Sequence, residues 1–308
     1  MLKRSDPREV FSFPDDLSYA RQLARLIRAP LRRISTHQFP DGETLAGIGQ
    51  RRTRAHAILV RRLDHPNPKI ADTLFVADAL RRAGALEITL GVPYFPYLRQ
   101  DKVFHDGQPL SAKVFGDLIG HSFDRVITFD PHLHRIHSLS DAIPCRTLHL
   151  SAAAPIARWV RANCPDAVVV GPDVESTELV RQVAEAAGTE WIAGRKRRLA
   201  DQRVIVKFDC LQTAGSAVIV DDIGSTGVTL AAVAQTLRSR GFAPIDSVVV
   251  HALFAQGAIG RIRRAGVRRI VSSDTIGHPT NAIKTAPLMA QALMRTSATG
   301  SVGMNYLA

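Results

Sequence analysis

Val218-Ile219-Val220-Asp221-Asp222-Ile223-Gly224-Ser225-Thr226-Gly227-Val228-Thr229-Leu230 is the stretch on which the fold turns. Its apolar start reads as a buried strand ending in two adjacent carboxylates. Small and hydroxyl-bearing residues follow, and the helical pattern Leu230–Leu237 then begins. Strand, small-residue loop and helix in this order form one unit of a parallel α/β fold. Such a loop points several backbone N–H groups and hydroxyls into one small space, backed by the positive end of the helix dipole, and so suits a phosphate. The acids beside it can take sugar hydroxyls or a hydrated metal ion. The plain alternative is a strand–turn–helix in which the Asp pair only caps the helix. Gly, Ser, Thr, Gly and Thr after two acids are more than a cap needs, and the pattern favours a phosphorylated sugar.

Outward from this stretch, short β-branched runs alternate with amphipathic ones. Strands are predicted at 57–60, 87–92, 125–129, 167–170, 204–208, 217–220, 247–250 and 269–272. Helices are predicted at 70–83, 112–119, 177–187, 229–240 and 258–265. The alternation implies mainly parallel sheets flanked by helices. A chain of 308 residues that is 45% hydrophobic can bury two cores. Two α/β domains are expected, at 1–149 and 150–308, with the last residues returning to pack on the N-terminal one. Arg125–Asp130 and Ala217–Asp222, each an apolar strand running into acid, hint at a duplication.

The formal net charge of +12 favours anionic partners: nucleic acid, acidic membrane or phosphorylated small molecules. The charge is spread through helices such as Tyr19–Arg28, aromatic content is 6%, and basic residues do not interleave with aromatic ones as in single-strand binders. Cys145, Cys164 and Cys210 are odd in number and widely spaced, which argues against a disulfide framework or zinc site. Met1–Pro7 leads into no apolar segment of signal-peptide type, and no run approaches membrane-spanning length. A cytoplasmic protein without a membrane partner is expected.

Other segments carry candidate chemistry. Phe39-Pro-Asp-Gly-Glu-Thr44 reads as a tight turn. Tyr94-Phe-Pro-Tyr-Leu-Arg-Gln-Asp-Lys102 follows a strand end, where Arg can pair with a triphosphate; a turn with a surface ion pair is the alternative. Asp130-Pro131-His132, near His134, His137 and Asp141, can hold a divalent cation or be a hydrogen-bonded loop. Gly171-Pro172-Asp173 closes another strand. Arg195-Lys196-Arg197-Arg198 reads on its own as a nucleic-acid or localisation patch, or as a mobile loop that an anion neutralises.

Together these segments resemble the ribose-phosphate pyrophosphokinases, the synthetases of phosphoribosyl pyrophosphate (PRPP), nearly end to end. Residues 218–230 resemble the PRPP loop shared with type I phosphoribosyltransferases, with Ser225 as in archaeal forms and Val228 a departure. Residues 93–102 match P-Y-x-x-Y-x-R-Q-D-K, 106–113 resemble D-G-E-x-x-S-x-K with Gln108 in place of the Glu, and 196–204 match K-x-R-L-x-D-x-x-V. His251–Phe254 and Ser273–Ile276 resemble further family segments. Val174-Glu175-Ser176-Thr177 departs from the usual Gly-Gly-basic run, and Arg146 stands where some members have an acid.

The resemblance implies two tandem phosphoribosyltransferase-like domains. It also implies transfer of the β,γ-diphosphoryl group of ATP to ribose 5-phosphate. ATP would be bound by Asp41, Gly42, Glu43, Arg99, Gln100 and Asp101. Ribose 5-phosphate would be held by Asp221, Asp222, Ser225, Thr226, Gly227, Val228 and Thr229. Mg2+ is the implied cofactor, near His132, Asp173 and Asp130, with Lys196 and Arg198 as catalytic cations. A homo-oligomer, dimer or hexamer, is implied too. Two rivals stay open: a catalytically silent regulatory homologue, and a basic nucleic-acid-binding module.

Overall fold

Alternation of apolar residues along each central strand loads both faces of two sheets, and helices cover them. The computed structural model describes residues 7–49, 52–53, 55–200, 203–208 and 215–295; Cys210 and the tail beyond Arg295 lie outside these. In chain order the first elements are β1 (Arg8–Ser12), α1 (Leu17–Leu26), β2 (Leu31–Arg33), β3 (Ser35–Gln38), β4 (Thr44–Gly47) and β5 (His56–Val60). Next come α2 (Asn67–Arg82), β6 (Glu87–Gly91), α3 (Ser111–Gly120), β7 (Arg125–Phe129), α4 (Leu139–Ala142) and β8 (Arg146–Leu150). Then follow α5 (Ala153–Asn163), β9 (Ala167–Gly171), α6 (Thr177–Ala187), β10 (Trp191–Ala193), β11 (Arg195–Ala200), β12 (Arg203–Lys207) and β13 (Gly215–Gly224). The last are α7 (Val228–Ser239), β14 (Phe242–Ala252), α8 (Ala258–Arg264), β15 (Val267–Ser273), β16 (Asn281–Ile283) and α9 (Ala286–Arg295). Among the described residues no helix is long and apolar enough to cross a membrane.

The chain divides into two compact units, one running to Leu150 and including α9, the other Ser151–Thr285. The first holds a six-stranded sheet in the order β2-β1-β5-β6-β7-β8, parallel throughout. Phe11, Leu59, Leu90 and Val126 face Val76, Leu80 and Ile119 of α2 and α3. Val10, Ile58, Val60 and Phe129 face the other way, against Leu23 of α1 and Met289 and Leu293 of α9. The second unit repeats the plan as β10-β9-β13-β14-β15-β16, again parallel. Val218 and Val220 meet α5 and α6, while Ala217 and Ile219 meet α7 and α8.

The shared strand order bears out duplication but corrects its register. Strand β13, third in its sheet, corresponds to β5, whereas β7 corresponds to β15. An apolar strand ending in acid is common to parallel sheets, so the pairing of Arg125–Asp130 with Ala217–Asp222 rested on a generic likeness. Two further differences bear on the site. The strand expected to stop at Val220 continues through both acids to Gly224, because the longer β14 pairs with it that far, with Gly224 opposite Ala252. Residues 204–208 belong to no central sheet. They form β12, which pairs antiparallel with β11 as a separate two-stranded ribbon.

Candidate active site

Ligands of open parallel sheets bind beyond the strand C-termini, beside the point where successive helices change face. In the second unit that point lies between β9, whose helix α6 joins one face, and β13, whose helix α7 joins the other. Asp173 follows the first strand, and Asp221 and Asp222 lie within the last four residues of the second, half-buried, with the Asp222 N–H donating to Asp221 Oδ1 at 3.1 Å. Carboxylates on both sides suit hydroxyls or a cation.

The loop Ser225–Gly227 then opens α7. Gly227 is its N-cap, with φ at +74°, a left-handed conformation that glycine adopts without penalty. The segment behind the loop crowds it. A Cβ on Gly224 would stand 2.5 Å from the Phe254 ring, and one on Gly227 would stand 3.0 Å from both the Ala258 carbonyl oxygen and Ile262 Cγ1. The Ala255 N–H donates to the Ser225 carbonyl at 3.1 Å, and Arg261 Nη1 donates to the Thr226 carbonyl at 2.5 Å. Thr226 is exposed, while Ser225, Val228 and Thr229 are partly so.

Asp173 is engaged locally. Its Oδ1 accepts from the N–H groups of Glu175 and Ser176 at 3.1 and 3.2 Å, and the Ser176 hydroxyl donates to its backbone oxygen at 2.7 Å. The turn into α6 is therefore tied by Asp173, and Ser176, the N-cap, makes no side-chain capping bond. Lys196 and Arg198 lie on β11, opposite Val206 and Val204 of β12. A loop was expected there; the β-branched run at 204–206 instead gives the basic segment a strand partner. Val206 and Phe208 root the ribbon among Leu230, Val233 and Leu237 of α7, the helix that the phosphate-type loop opens.

In the first unit, Asp41, Gly42 and Glu43 form the exposed tip of the β3–β4 hairpin, closed by a bond from the Glu43 N–H to Asp41 Oδ1. Arg99 and Gln100 are exposed on the turn after Tyr97. Asp101 is not. Its side chain is 3% exposed and accepts from both the backbone N–H and the guanidinium of Arg135, with His134 Nδ1 3.8 Å away. It thus ties the 99–102 turn to the loop carrying Asp130 and His132. Asp130 ends β7 with φ at +31°, its N–H bonded to the Leu150 carbonyl. Asp141 is spent as the capping box of α4 with Ser138.

The same topological position in the first unit has opposite chemistry. There the ends of β1 and β5 lead to Asp15–Asp16 and Arg61–Arg62. Arg61, 5% exposed, binds Asp15 at 2.6 Å and Asp16 at 3.3 Å and lies 4.0 Å over the Phe13 ring; Arg62 binds Asp16 at 2.6 Å. Burial raises the Asp16 pKa against the pull of Arg62. Ion-paired arginines and acids stand at that position, whereas acids stand at the matching one in the second unit. Burial also pushes the thiols of Cys145 and Cys164 up to about 11, so neither is a thiolate nucleophile at neutral pH.

Sequence reasoning missed Arg261. Three arginines crowd α8, at 261, 263 and 264, and no periodicity says which one reaches a loop 35 residues earlier.

Residues 9–122 match the N-terminal domain of ribose phosphate pyrophosphokinase. The ribose-phosphate pyrophosphokinase of Methanopyrus kandleri is 30% identical over 292 residues, which are 94% of this chain and 99% of that one. That of Thermococcus kodakarensis is 33% identical over 84% of this chain and 91% of its own, and that of Halobacterium salinarum 34% identical over 90% and 97%. The crystal structure of the phosphoribosylpyrophosphate synthetase from Mycobacterium smegmatis superposes with a TM-score of 0.81, covering 96% of this chain and all of the other, at 22% identity. Its likeness carries the fold of two phosphoribosyltransferase-like domains. With relatives of this identity aligned over nearly their whole length, the chain belongs to the ribose-phosphate pyrophosphokinase family.

Proposed function

We propose that this chain transfers the β,γ-diphosphoryl group of ATP to the anomeric hydroxyl of ribose 5-phosphate, yielding PRPP and AMP. The observation that carries the reading is the half-exposed Asp221–Asp222 pair running directly into a loop with an anion-suited N-terminus, in a member of this family. The acids take the ribose hydroxyls, and Ser225 to Thr229 take the 5-phosphate. The anomeric hydroxyl attacks the β-phosphorus and gives up its proton to water, the bond from that phosphorus to the bridging oxygen breaks, and AMP leaves with the bridging oxygen. Lys196 and Arg198 offset the charge that grows on the bridging oxygen. Such transfers rely on positioning and charge compensation and need no covalent nucleophile.

Arg99, Gln100 and Asp41 to Glu43 bind the nucleotide, and Asp101 orients the Arg99–Gln100 turn through Arg135. Mg2+ bound with the triphosphate supplies charge neutralisation. Asp130 would hold that ion through its carboxylate, with His132 beside it placed for a phosphate or a bound water: magnesium takes oxygen donors, one or two from protein and the rest from phosphate and water, so a closed protein cage is not required. Among the described residues no three His, Cys, Asp or Glu side chains form one. We place the reaction in the cytoplasm, where both substrates occur, and in a homo-oligomer. Leu110, the N-cap of α3, and Val114 and Leu118 within it, exposed four residues apart, offer a face for a second copy; a monomer by light scattering removes that proposal.

Incubation with Mg2+, ATP and ribose 5-phosphate is expected to produce AMP and PRPP in equal amounts by chromatography. Lys196→Ala is expected to cut turnover on the order of a hundredfold, as loss of one charge-stabilising donor does, while binding ribose 5-phosphate normally. Absence of AMP with nucleic acid retained at physiological salt sinks the reading. Substrate binding without turnover leaves the silent homologue.

A further inference from the structure

We propose that Arg261 is a positioning residue for the sugar 5-phosphate, acting from behind the loop through the Thr226 carbonyl. This rests on the assignment of residues 225–229 to that phosphate. Arg261 extends from α8 to the loop, and its guanidinium donates to the Thr226 oxygen at 2.5 Å, a short charge-assisted bond. The preceding carbonyl, that of Ser225, is held by the Ala255 N–H at 3.1 Å. Both acceptors therefore lie on the α8 side of the loop.

A trans peptide is planar, with its N–H opposite its C=O. Holding the carbonyls of Ser225 and Thr226 on one side turns the N–H groups of Thr226 and Gly227 to the other. Gly227 is left-handed and the helical Val228 follows, an order in which successive N–H groups converge on an anion. Gly227 tolerates either sign of φ, so its own sterics do little to stop the Thr226–Gly227 peptide from flipping and presenting its oxygen to the phosphate. The cation on that oxygen opposes the flip. It also polarises the peptide and strengthens the N–H as a donor. Arg263 and Arg264, on the same helix, are exposed and carry the same charge without this contact.

The test compares Arg261→Gln and Arg261→Lys with Arg263→Gln, which removes a charge from the same helix. Kinetics are measured for each substrate, thermal unfolding by circular dichroism, and ribose 5-phosphate binding by calorimetry without ATP. Arg261→Gln is expected to raise KM and Kd for ribose 5-phosphate about tenfold, the usual scale for a lost charged hydrogen bond. KM for ATP and the melting temperature should stay near wild type. Arg261→Lys should recover part of the loss, and Arg263→Gln should show none. Equal effects at 261 and 263, equal rises in both KM values, or a loss that follows the melting temperature overturn the inference. Wild-type protein that binds ribose 5-phosphate but makes no PRPP refutes the proposed reaction alone, and the binding arm still decides on Arg261. Wild-type protein that binds no ribose 5-phosphate overturns both.

Discussion

Gly227→Ala isolates the loop as a built object. At φ +74° an L-residue pays about 1–2 kcal/mol over glycine. The new Cβ would also stand 3.0 Å from the Ala258 carbonyl oxygen, 3.0 Å from Ile262 Cγ1 and 3.1 Å from its Cδ1. Ile262 is fully buried and the Ala258 oxygen is backbone of α8, so neither yields freely; such crowding adds about 1 kcal/mol. Alanine also restricts the unfolded chain, which returns about 0.4–1 kcal/mol. The net expectation is a loss of about 2 kcal/mol, or roughly 6 °C in melting temperature for a unit of this size. Gly257 is the comparison. It too is left-handed, with φ at +81°, but has nothing within 4 Å of its would-be Cβ. Its alanine variant should lose only the conformational part, about 1 kcal/mol or less net. Calorimetric unfolding and KM for ribose 5-phosphate are measured together, because a displaced α8 moves Arg261 with it. Equal stability of the two variants, or an unchanged KM in Gly227→Ala, refutes the packing of the loop on α8.

Gly224→Ala places a methyl 2.5 Å from the Phe254 ring at an ordinary φ, so steric overlap alone should cost about 1–3 kcal/mol. Adding Phe254→Leu should restore much of it, and simple additivity in urea unfolding would falsify the contact. Asp246, its side chain 2% exposed, accepts from Arg268 at 2.7 Å and Arg269 at 2.6 Å. Burial raises its pKa, but the hydrogen bonds from Arg268 and then Arg269 outweigh this and leave it below the ordinary 3.8. A depressed folded pKa means stability that is present above the unfolded value and lost as pH falls through the folded one. Asp246→Asn should therefore cost about 2 kcal/mol at neutral pH, less than for a fully buried pair because the arginines are partly exposed. The gap to wild type should close in strong acid; urea midpoints that differ equally at both pH values go against the assignment.

The chain's own residues determined the α/β class, most central strands and the strand–loop–helix order at 218–230. These follow from local chemistry: apolar runs that must be buried, and small residues with a helix start that present N–H groups, whatever surrounds them. Asp221, Asp222 and the turn at Asp41–Glu43 were legible in this way. Tertiary structure decided the rest. It matched β13 with β5 rather than with the look-alike strand at 125–129, because strand order is a property of pairing and not of composition. It gave Lys196 and Arg198 a strand partner ten or fewer residues away, and turned Asp101 inward to Arg135. It also set ion-paired Arg61, Arg62, Asp15 and Asp16 at one of two equivalent positions and acids at the other. Arg261 is the sharpest instance. A helix pattern says that an arginine lies on a surface, but only the packing of α8 beneath the loop says which carbonyl it holds.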